Sequence, residues 1–389
     1  MAVSATSRLR QIDEVVRMAD TASIVFVILE RILNIFVDEM INIPLISPIV
    51  DRLMEIPLIN IVVAFILWKP IFHVLILPGL IGMTLVLLFI IYFERKITAR
   101  VQWRVGPKEV SRRTGGIIQA LADGMRYLFQ EVIVHRDANA FYFLQFPLIS
   151  FLPVLLPLLF IPAGGTYGIK TIYTLPAALA LISLIPVFIV AMGWASNSKF
   201  AYIGSVREAF MYFAYEIPFL IAVVAMIVLY QTPDPFEIVA KQWIPGALLN
   251  PVAFIAFFIT VLIATSRLPF DIPEADQEVA FGPYVEYSGI IFGLVMMLPY
   301  EKLYLLSMIS VILFFGGWSG PEIALLGDLA PVIYLYIKTI LFMCVVSLAR
   351  SIYARYRLDQ SLRLGWSVVF SLSMIALIIS VGWMAWLGL

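Results

Sequence analysis

Eight apolar segments, each close to the length that a helix needs to cross a lipid bilayer, dominate this chain of 389 residues. A helix crosses the hydrocarbon core with about 20 residues. Hydrophobic residues make up 62% of the sequence and charged residues 13%, whereas soluble domains carry about 25% charged residues. We therefore predict an all-α, polytopic membrane helix bundle with about eight transmembrane helices, amphipathic surface helices and no internal repeat. The predicted spans are 75–93, 141–162, 173–195, 209–230, 250–267, 288–316, 331–349 and 364–386.

Residues 1–74 have a different pattern, and we predict that they form an N-terminal extension with interfacial or re-entrant helices. Segment 24–37 interrupts its apolar residues with Glu30 and Arg31, as is typical of a helix lying in the membrane interface. The apolar run 56–68 is short for a span, so an interfacial or re-entrant segment is favoured over a ninth span. Such an extension is expected to dock on the outer side of the membrane, against a neighbouring chain.

The distribution of Lys and Arg orients the predicted bundle. These residues concentrate in the loop after the first span and in the loop before the last span. With eight spans, both loops fall on the same side as the acidic loop 265–287. Because loops rich in Lys and Arg remain in the cytoplasm, we predict that loops 94–140, 196–208 and 265–287 are cytoplasmic. The N-terminus is then outside, and the membrane is predicted to be a prokaryotic plasma membrane.

Several classes of site are disfavoured by composition. Cys344 is the only cysteine, so the chain has no cysteine cluster for an iron–sulfur centre. His73 and His135 have no histidine partner at helical spacing, and no phosphate-binding glycine loop is present. The net charge is zero, which gives no signature for nucleic acid. We predict that this chain binds no metal, flavin, iron–sulfur cluster or nucleic acid, and that other subunits supply such groups.

Acidic residues gather where the chain borders or enters hydrocarbon. Carboxylates in such places are costly, so their default interpretation is functional. Burial raises the pKa of a carboxyl group, and neighbouring acids titrate as a coupled set. A series of such groups is what proton movement requires. The acids are Asp271, Glu274, Asp276, Glu278 and Glu286 in the 265–287 loop, with Glu216 and Glu301 in predicted spans.

Three stretches of sequence resemble one family. The first is ERKITARVQWRVGP at 94–107, followed by QALAD at 119–123 and FQE at 129–131. The second is GWASNSK at 193–199, which leads to Tyr215-Glu216-Ile217-Pro218. The third is RLPFDIPEA at 267–275, with EYSG at 286–289. From residue 75 onwards, the chain resembles the quinone-site membrane subunit of respiratory complex I, known as the H subunit in bacteria and as subunit 1 in mitochondria.

The resemblance implies a subunit that is inactive alone and works within a proton-pumping quinone oxidoreductase. Its substrate would be a quinone. Its partners would be peripheral-arm iron–sulfur and quinone-site subunits, small membrane subunits, antiporter-like subunits and lipid. By motif, the implied proton path contains Glu216, Glu274, Asp276, Glu278, Glu286 and Glu301. The implied wall of the quinone cavity contains Arg95, Arg104, Asp123, Arg126, Arg207, Arg267, Phe270 and Asp271.

The sequence departs from the family pattern at two positions. The family usually has a glutamate three residues before the arginine of the Pro-Phe-Asp motif, and Ala264 stands there in this chain. The proton path is then rerouted through water or another side chain. Family members also often have proline where Ala120 stands, which affects only local helix geometry.

Other interpretations remain open from the sequence alone. Glu216 has the alternative of a structural pair with Arg207, and Asp271 has the alternative of capping a turn between prolines. The ion-translocating subunit of a membrane-bound hydrogenase is a related functional alternative. A proton-coupled secondary transporter is another, and it predicts paired broken helices in two related halves.

Overall fold

The computed structural model describes residues 40, 41, 44, 47–54, 59–111, 113–164, 166–321, 323 and 326–387. Within these ranges the chain is helical, with no strand and only the isolated bridges Met40–Trp68 and Ala163–Thr166. This confirms the predicted all-α class. The predicted interfacial helix at 24–37 lies outside the described residues, so it stays a prediction.

The helices in chain order are α1 Ser47–Met54, α2 Ile59–Leu67, α3 Lys69–Leu75, α4 Leu80–Val101, α5 Gln119–Phe129, α6 Ala140–Ile149, α7 Leu152–Phe160, α8 Thr174–Ile182, α9 Ile185–Ala195, α10 Lys199–Tyr230, α11 Pro235–Lys241, α12 Gly246–Leu249, α13 Pro251–Ala264, α14 Asp276–Val279, α15 Gly289–Phe314, α16 Leu329–Ile352, α17 Leu358–Arg363 and α18 Phe370–Leu387.

Among the described residues, seven helical stretches are long and apolar enough to cross a membrane. Each contains or overlaps a predicted span, as a polytopic membrane bundle requires. The short helices α1 and α2 precede them and do not reach this length. The seven stretches are Lys69–Val101, Ala140–Phe160, Thr174–Ala195, Lys199–Tyr230, Gly289–Phe314, Leu329–Ile352 and Leu358–Trp386.

The remaining predicted span, 250–267, is the fifth in chain order and is helical only over α13, which has 14 residues. At about 1.5 Å per residue, α13 is shorter than a hydrocarbon core of about 30 Å. Its N-terminus is held by the Asn250 amide, which donates to Ala376 O at 2.8 Å and Ser380 Oγ at 2.9 Å. Just beyond its C-terminus, Arg267 is paired with Glu94 on α4. By length α13 therefore does not qualify as a membrane span among the described residues, and the count of eight spans stays a prediction.

Prolines divide several of the apolar stretches. Proline lacks an N–H donor and interrupts the helical ladder, and Pro186 follows the break between α8 and α9. Ser183 lies in this break and directs its hydroxyl toward Glu216 of α10, 2.6 Å away. A helix break thus supplies a polar partner inside the apolar bundle.

The loops on one end of the bundle lie against each other. The Thr98 and Ser351 hydroxyls are 2.9 Å apart, and the Asn197 amide donates to Asp137 O at 3.1 Å. The backbone N–H of Tyr356 donates to Pro269 O at 2.8 Å. Loops 94–140, 196–208 and 265–287 therefore meet at this end, which we call the loop end. Which side of the membrane the loop end faces stays a prediction.

Loop 265–287 lies directly on α10 because two glycines permit close approach. A Cβ atom added to Gly204 would lie 2.5 Å from the Cα atom of Gly282, and Gly282 has a φ of +53°. Side chains at either position would separate the two segments or strain the turn. The contact brings the acidic loop beside the first turns of α10.

Candidate functional site

A buried carboxylate between two arginines is the centre of the loop end. Glu94 and Arg267 are each 4% exposed, and they form an ion pair. Arg350 also pairs with Glu94, and the Tyr300 hydroxyl donates to Glu94 Oε1 at 3.1 Å. The guanidinium of Arg267 lies 3.9 Å from the centroid of the Tyr300 ring. This cluster joins α4, α15, α16 and the turn after α13.

Arg267 was predicted as a site residue, but sequence reasoning did not single out Glu94 or Arg350. Glu94 opens the first family-like stretch and ends an apolar run, which was a usable signal. Arg350 gave no comparable signal because its partner lies far away in the sequence.

Asp271 and Phe270 connect the acidic loop to the segment after α16. Arg355 donates to Asp271 Oδ2 at 2.8 Å and to Gln277 Oε1 at 2.5 Å. Phe270 is buried, with its ring 5.6 Å from that of Tyr356. Burial raises the pKa of Asp271, while the hydrogen bond from Arg355 acts in the opposite direction. The Asp271 carboxylate therefore forms an ion pair with Arg355, and the alternative that it caps a turn between prolines stays open.

Glu274 is the acid most affected by its surroundings in the loop. Burial raises its pKa from 4.5 to about 8, and the negative charges of Asp271 and Glu208 add to the rise, while Arg267 opposes it. The pKa of Tyr284 is raised by burial and by the nearby Glu274 charge. Glu274 therefore holds a proton near neutral pH and is poised to release it, which suits a proton-transfer group.

This raised pKa predicts a pH-dependent stability. Between about pH 4.5 and about pH 8, the folded chain keeps a proton on Glu274 that the unfolded chain releases. The folded state then binds more protons, so the free energy of unfolding falls as pH rises through this window. We expect the thermal unfolding midpoint of the purified complex to fall with pH there, and the fall to be smaller in Glu274→Gln.

The control for this prediction is Glu237→Gln, because Glu237 is an exposed acid on α11 with only a 3.9 Å pair to Lys241. The unfolding midpoint of this control should fall with pH as steeply as that of the unmodified complex. If the unfolding midpoint of Glu274→Gln fell with pH as steeply as that of the unmodified complex, Glu274 would not be the group with the raised pKa.

Arg207 on α10 pairs with Glu278 of the acidic loop, not with Glu216. The alternative of a structural Arg207–Glu216 pair is therefore wrong. Glu216 lies nine residues further along α10, which is about 13 Å at 1.5 Å per residue. Its carboxylate accepts a hydrogen bond from Ser183 instead.

Glu216 borders a small cavity inside the bundle. On one side the cavity is formed by α8 and α10, and on the other by α13 and α15. Ala264, the position where the family usually has glutamate, is part of its wall. Lys302 is also part of the wall, and its Nζ donates to the Tyr215 hydroxyl at 2.7 Å. The complete lining is Ile182, Ser183, Tyr215, Glu216, Phe219, Ala264, Lys302 and Leu306.

Glu208 connects the acidic loop with this cavity, and sequence reasoning missed it. It is 3% exposed, and the Ser266 hydroxyl lies 3.5 Å from its carboxylate. Its electrostatic neighbours include Glu274 on the loop side and Lys302 on the bundle side. Glu208 precedes Glu216 by eight residues, a spacing that belongs to one helical stripe. That spacing was the available signal.

Four of the predicted cavity-wall residues lie at or near the surface of the loop end. Arg95 pairs with Asp123, Arg104 donates to Gln102 at 2.7 Å, and Arg126 lies 5.2 Å from the centroid of the Tyr127 ring. Partial burial is the largest single effect on Asp123 and acts to raise its pKa. Hydrogen bonds from Arg95 and Gln119 act in the opposite direction and prevail, so the pKa of Asp123 is lowered. These groups surround the family-like stretch but do not join the buried cluster.

A groove beside α5 has polar and aromatic walls. It has a volume of about 400 Å³, and Arg126, Tyr127 and Phe292 contribute to its lining. The Ser288 hydroxyl also lines it and accepts a hydrogen bond from the backbone N–H of Ile133 at 2.8 Å. A groove with both apolar and polar walls suits an amphipathic ligand.

The remaining predicted acids, Asp276, Glu286 and Glu301, lie in different surroundings. Asp276 is exposed at the start of α14, and Glu286 is half-buried near the start of α15. Glu301 is buried in α15, where its Oε2 has no hydrogen-bond partner among the described residues. Asp276 still interacts electrostatically with Asp271 and Glu274, whereas Glu286 and Glu301 are not among the electrostatic neighbours of the series formed by Asp271, Glu274, Glu208 and Glu216. Among the described residues, no group of three or more His, Cys, Asp or Glu side chains is arranged to hold a metal ion.

The chain is similar to known proteins over most of its length. The family profile described as NADH dehydrogenase matches residues 74–381. The H subunit of NADH-quinone oxidoreductase from Roseobacter denitrificans is 36% identical, over 76% of this chain and 87% of the relative. NADH-ubiquinone oxidoreductase chain 1 of Chondrus crispus is 35% identical, over 77% of this chain and 91% of the relative. The H subunit of NADH-quinone oxidoreductase from Rhodospirillum rubrum is 33% identical, over 76% and 88% respectively.

Proposed function

Because this chain belongs to the family of the H subunit of NADH-quinone oxidoreductase, which is respiratory complex I, we propose that it forms part of the quinone cavity and the start of the proton path. The chain is an integral membrane subunit of an oxidoreductase complex and is not an enzyme alone. The observation that supports the finer proposal is the series of acids that leads from the loop end into the bundle. Asp271 and Glu274 lie in the loop, and Glu208 and Glu216 follow on α10.

The proposed chemistry starts at the loop end. Reduction of a quinone to a quinol takes up two electrons and two protons, and partner subunits with iron–sulfur centres supply the electrons. The groove beside α5 and the buried wall around Phe270 and Arg267 offer apolar surface for the tail and donors for the head group. Proton uptake by the quinone changes the charge near Asp271 and Glu274. Because Glu274 interacts with both Asp271 and Glu208, the change shifts the titration of the next group.

The orientation and partners follow from the same proposal. The loop end faces the cytoplasm of a prokaryotic plasma membrane, where it receives the peripheral-arm subunits. The opposite end, with the N-terminal extension, faces outward, and the small membrane and antiporter-like subunits pack on the flank.

The two functional alternatives have less support. Relatives named as quinone oxidoreductase subunits favour this proposal over a hydrogenase subunit. A secondary transporter would need two related halves with paired broken helices, and the sequence shows no such repeat. Iron–sulfur and antiporter-like chains that copurify with this subunit would support the proposal, whereas a nickel–iron large subunit would favour the hydrogenase alternative.

Photolabelling the intact complex with a photoreactive quinone tests the proposed cavity. We expect the label on residues 94–131 or 265–280, and we expect excess unlabelled quinone to prevent it. The internal control is the groove at the opposite end, which has a volume of about 490 Å³ and includes Tyr230, Trp243 and Trp383 in its lining. Competed labelling of this control groove, without labelling of the loop end, would contradict both the cavity and the orientation.

A further inference from the structure

Lys302 is a buried cation in the middle of α15 that the proposed acid series does not use. It is 3% exposed, and its Nζ lies 4.9 Å from the centroid of the Tyr215 ring. An ammonium group has three donors, and the Tyr215 hydroxyl takes one of them. Within the described part of the chain, no carboxylate oxygen lies within 4.0 Å of Nζ. A buried charge is costly unless other charges balance it, so carboxylates at longer range have to stabilise this one.

Two carboxylates lie near Lys302, one buried (Glu208) and one partly buried (Glu216). Both Glu208 and Glu216 interact electrostatically with it. They belong to the same helix and are separated by eight residues, or about 12 Å along the axis. Lys302 comes from the facing helix α15 and approaches α10 at Tyr215, next to Glu216 in the sequence. A third titratable group therefore stands beside the gap between the two acids.

The cavity between Lys302 and Glu216 is small and mostly apolar, with a few polar groups in its wall. Its volume is about 10 Å³, which is at the lower limit of the roughly 10–15 Å³ that one water molecule needs. Glu216, Ser183 and Lys302 offer it hydrogen-bonding partners. The opposite wall includes Ala264, whose side chain ends at Cβ and leaves this space open. One water molecule there would connect the lysine with the carboxylate.

We propose that Lys302 carries protons between Glu208 and Glu216, a role that rests on the proposed function of this chain. The Lys302 ammonium gives a proton through the cavity water to the Glu216 carboxylate, so an N–H bond breaks and an O–H bond forms. The neutral amine then takes a proton from the Glu208 carboxylic acid, whose O–H bond breaks. One proton has moved from Glu208 to Glu216, no electron has moved, and Lys302 is again an ammonium. In this chain, the lysine replaces the carboxylate that is absent at position 264.

Lys302→Met tests the proposal because methionine is similar in length and keeps the packing but carries no proton. The complex is produced with its partner subunits and studied in closed membrane vesicles. We expect the complex to assemble near the unmodified level and to reduce quinone about tenfold more slowly. The loss of a positioned acid or base slows a reaction roughly 100-fold. The expected loss is smaller because water provides a slower alternative route. Lys241→Met is the matched control, because Lys241 is half exposed at the opposite end of the bundle.

Rescue distinguishes a proton carrier from a structural residue. Lys302→Met combined with Ala264→Glu returns a titratable group to the same cavity from its other wall, and we expect it to recover most of the lost turnover. A purely structural loss would not be repaired by a glutamate at 264, so an assembled double variant without recovery contradicts the proposal. Wild-type turnover and pumping in Lys302→Met would also overturn it. If the unmodified vesicles reduced quinone without pumping, the proposed function itself would fail.

Ala264→Val keeps the test decisive if Lys302→Met does not assemble. Valine fills the cavity and excludes the water without removing either charge. We expect the assembled complex to lose turnover severalfold, while full turnover with pumping would overturn the proposal.

Discussion

Glu94→Ala is expected to abolish stable assembly of the protein into its complex. The substitution leaves Arg267 buried without its carboxylate and removes the group that also neutralises Arg350. Removing one partner of a buried ion pair costs about 3–5 kcal/mol, a large part of the roughly 5–15 kcal/mol that stabilises a folded protein. The measurements are the amount of this chain in membranes and the thermal unfolding midpoint of the purified complex.

A surface ion pair provides the matched control. Arg357 and Asp359 are paired at 3.4 Å, and their side chains are 81% and 73% exposed. Surface pairs contribute only about 0–1 kcal/mol, so Asp359→Ala should leave assembly and the unfolding midpoint nearly unchanged. Equal behaviour of Glu94→Ala and Asp359→Ala would show that the buried cluster is not a structural centre.

Neutralising Glu94 without changing its shape offers a sharper version of this experiment. Glu94→Gln preserves the shape and the hydrogen bond from Tyr300, but it still leaves the two arginines without a negative charge. We expect its amount in membranes and its unfolding midpoint to lie between those of the unmodified protein and those of Glu94→Ala. The difference between the unmodified protein and Glu94→Gln then measures the contribution of the charge. The difference between Glu94→Gln and Glu94→Ala measures the contribution of packing and of the hydrogen bond from Tyr300.

The fold was largely predictable because the bilayer limits what the sequence can do. A run of about 20 apolar residues has few alternatives to a spanning helix, and such runs are visible at, for example, Ala140–Phe160 and Leu329–Ile352. The breaks inside the apolar runs were less visible. The interruption between α8 and α9, where Ser183 meets Glu216, depends on tertiary packing as well as on Pro186.

The candidate site was predictable only where the acids were close in sequence. The 265–287 loop was evident from its composition, and Asp271 and Glu274 both lie in polar or charged surroundings in the structure. The partners of these groups come from distant helices. Arg350 reaches Glu94 across more than 250 positions, and Arg355 reaches Asp271 across 84. No local spacing rule anticipates such pairs.

The surroundings of Ala264 also could not be predicted from the sequence. The sequence revealed that a usual glutamate is absent, but it did not reveal which side chains face that position. The structure places Lys302 and Glu216 in the wall of the same cavity. Lys302 follows Glu301 in the sequence, but its hydrogen-bond partner is Tyr215 on another helix.

Glu216→Gln is expected to stop proton pumping and to slow quinone reduction roughly 100-fold, the scale of losing a positioned acid or base. Glutamine keeps the shape of the side chain and a polar contact with the Ser183 hydroxyl, so the complex should still assemble. Quinone reduction falls together with pumping because the proposed path couples the two reactions, and protons taken up at the loop end cannot continue into the bundle. The readouts are proton uptake and quinone reduction in closed vesicles, with complex content measured separately.

Glu237→Gln is the control for this substitution, because Glu237 is an exposed acid on α11 with only a loose 3.9 Å pair to Lys241. It should reduce quinone and pump like the unmodified complex. Full pumping by an assembled Glu216→Gln complex would remove Glu216 from the path. Loss of pumping with unchanged quinone reduction would instead keep Glu216 in the path but show that the two reactions are not strictly coupled there. The acids of the loop end would then act in quinone reduction independently of the bundle interior.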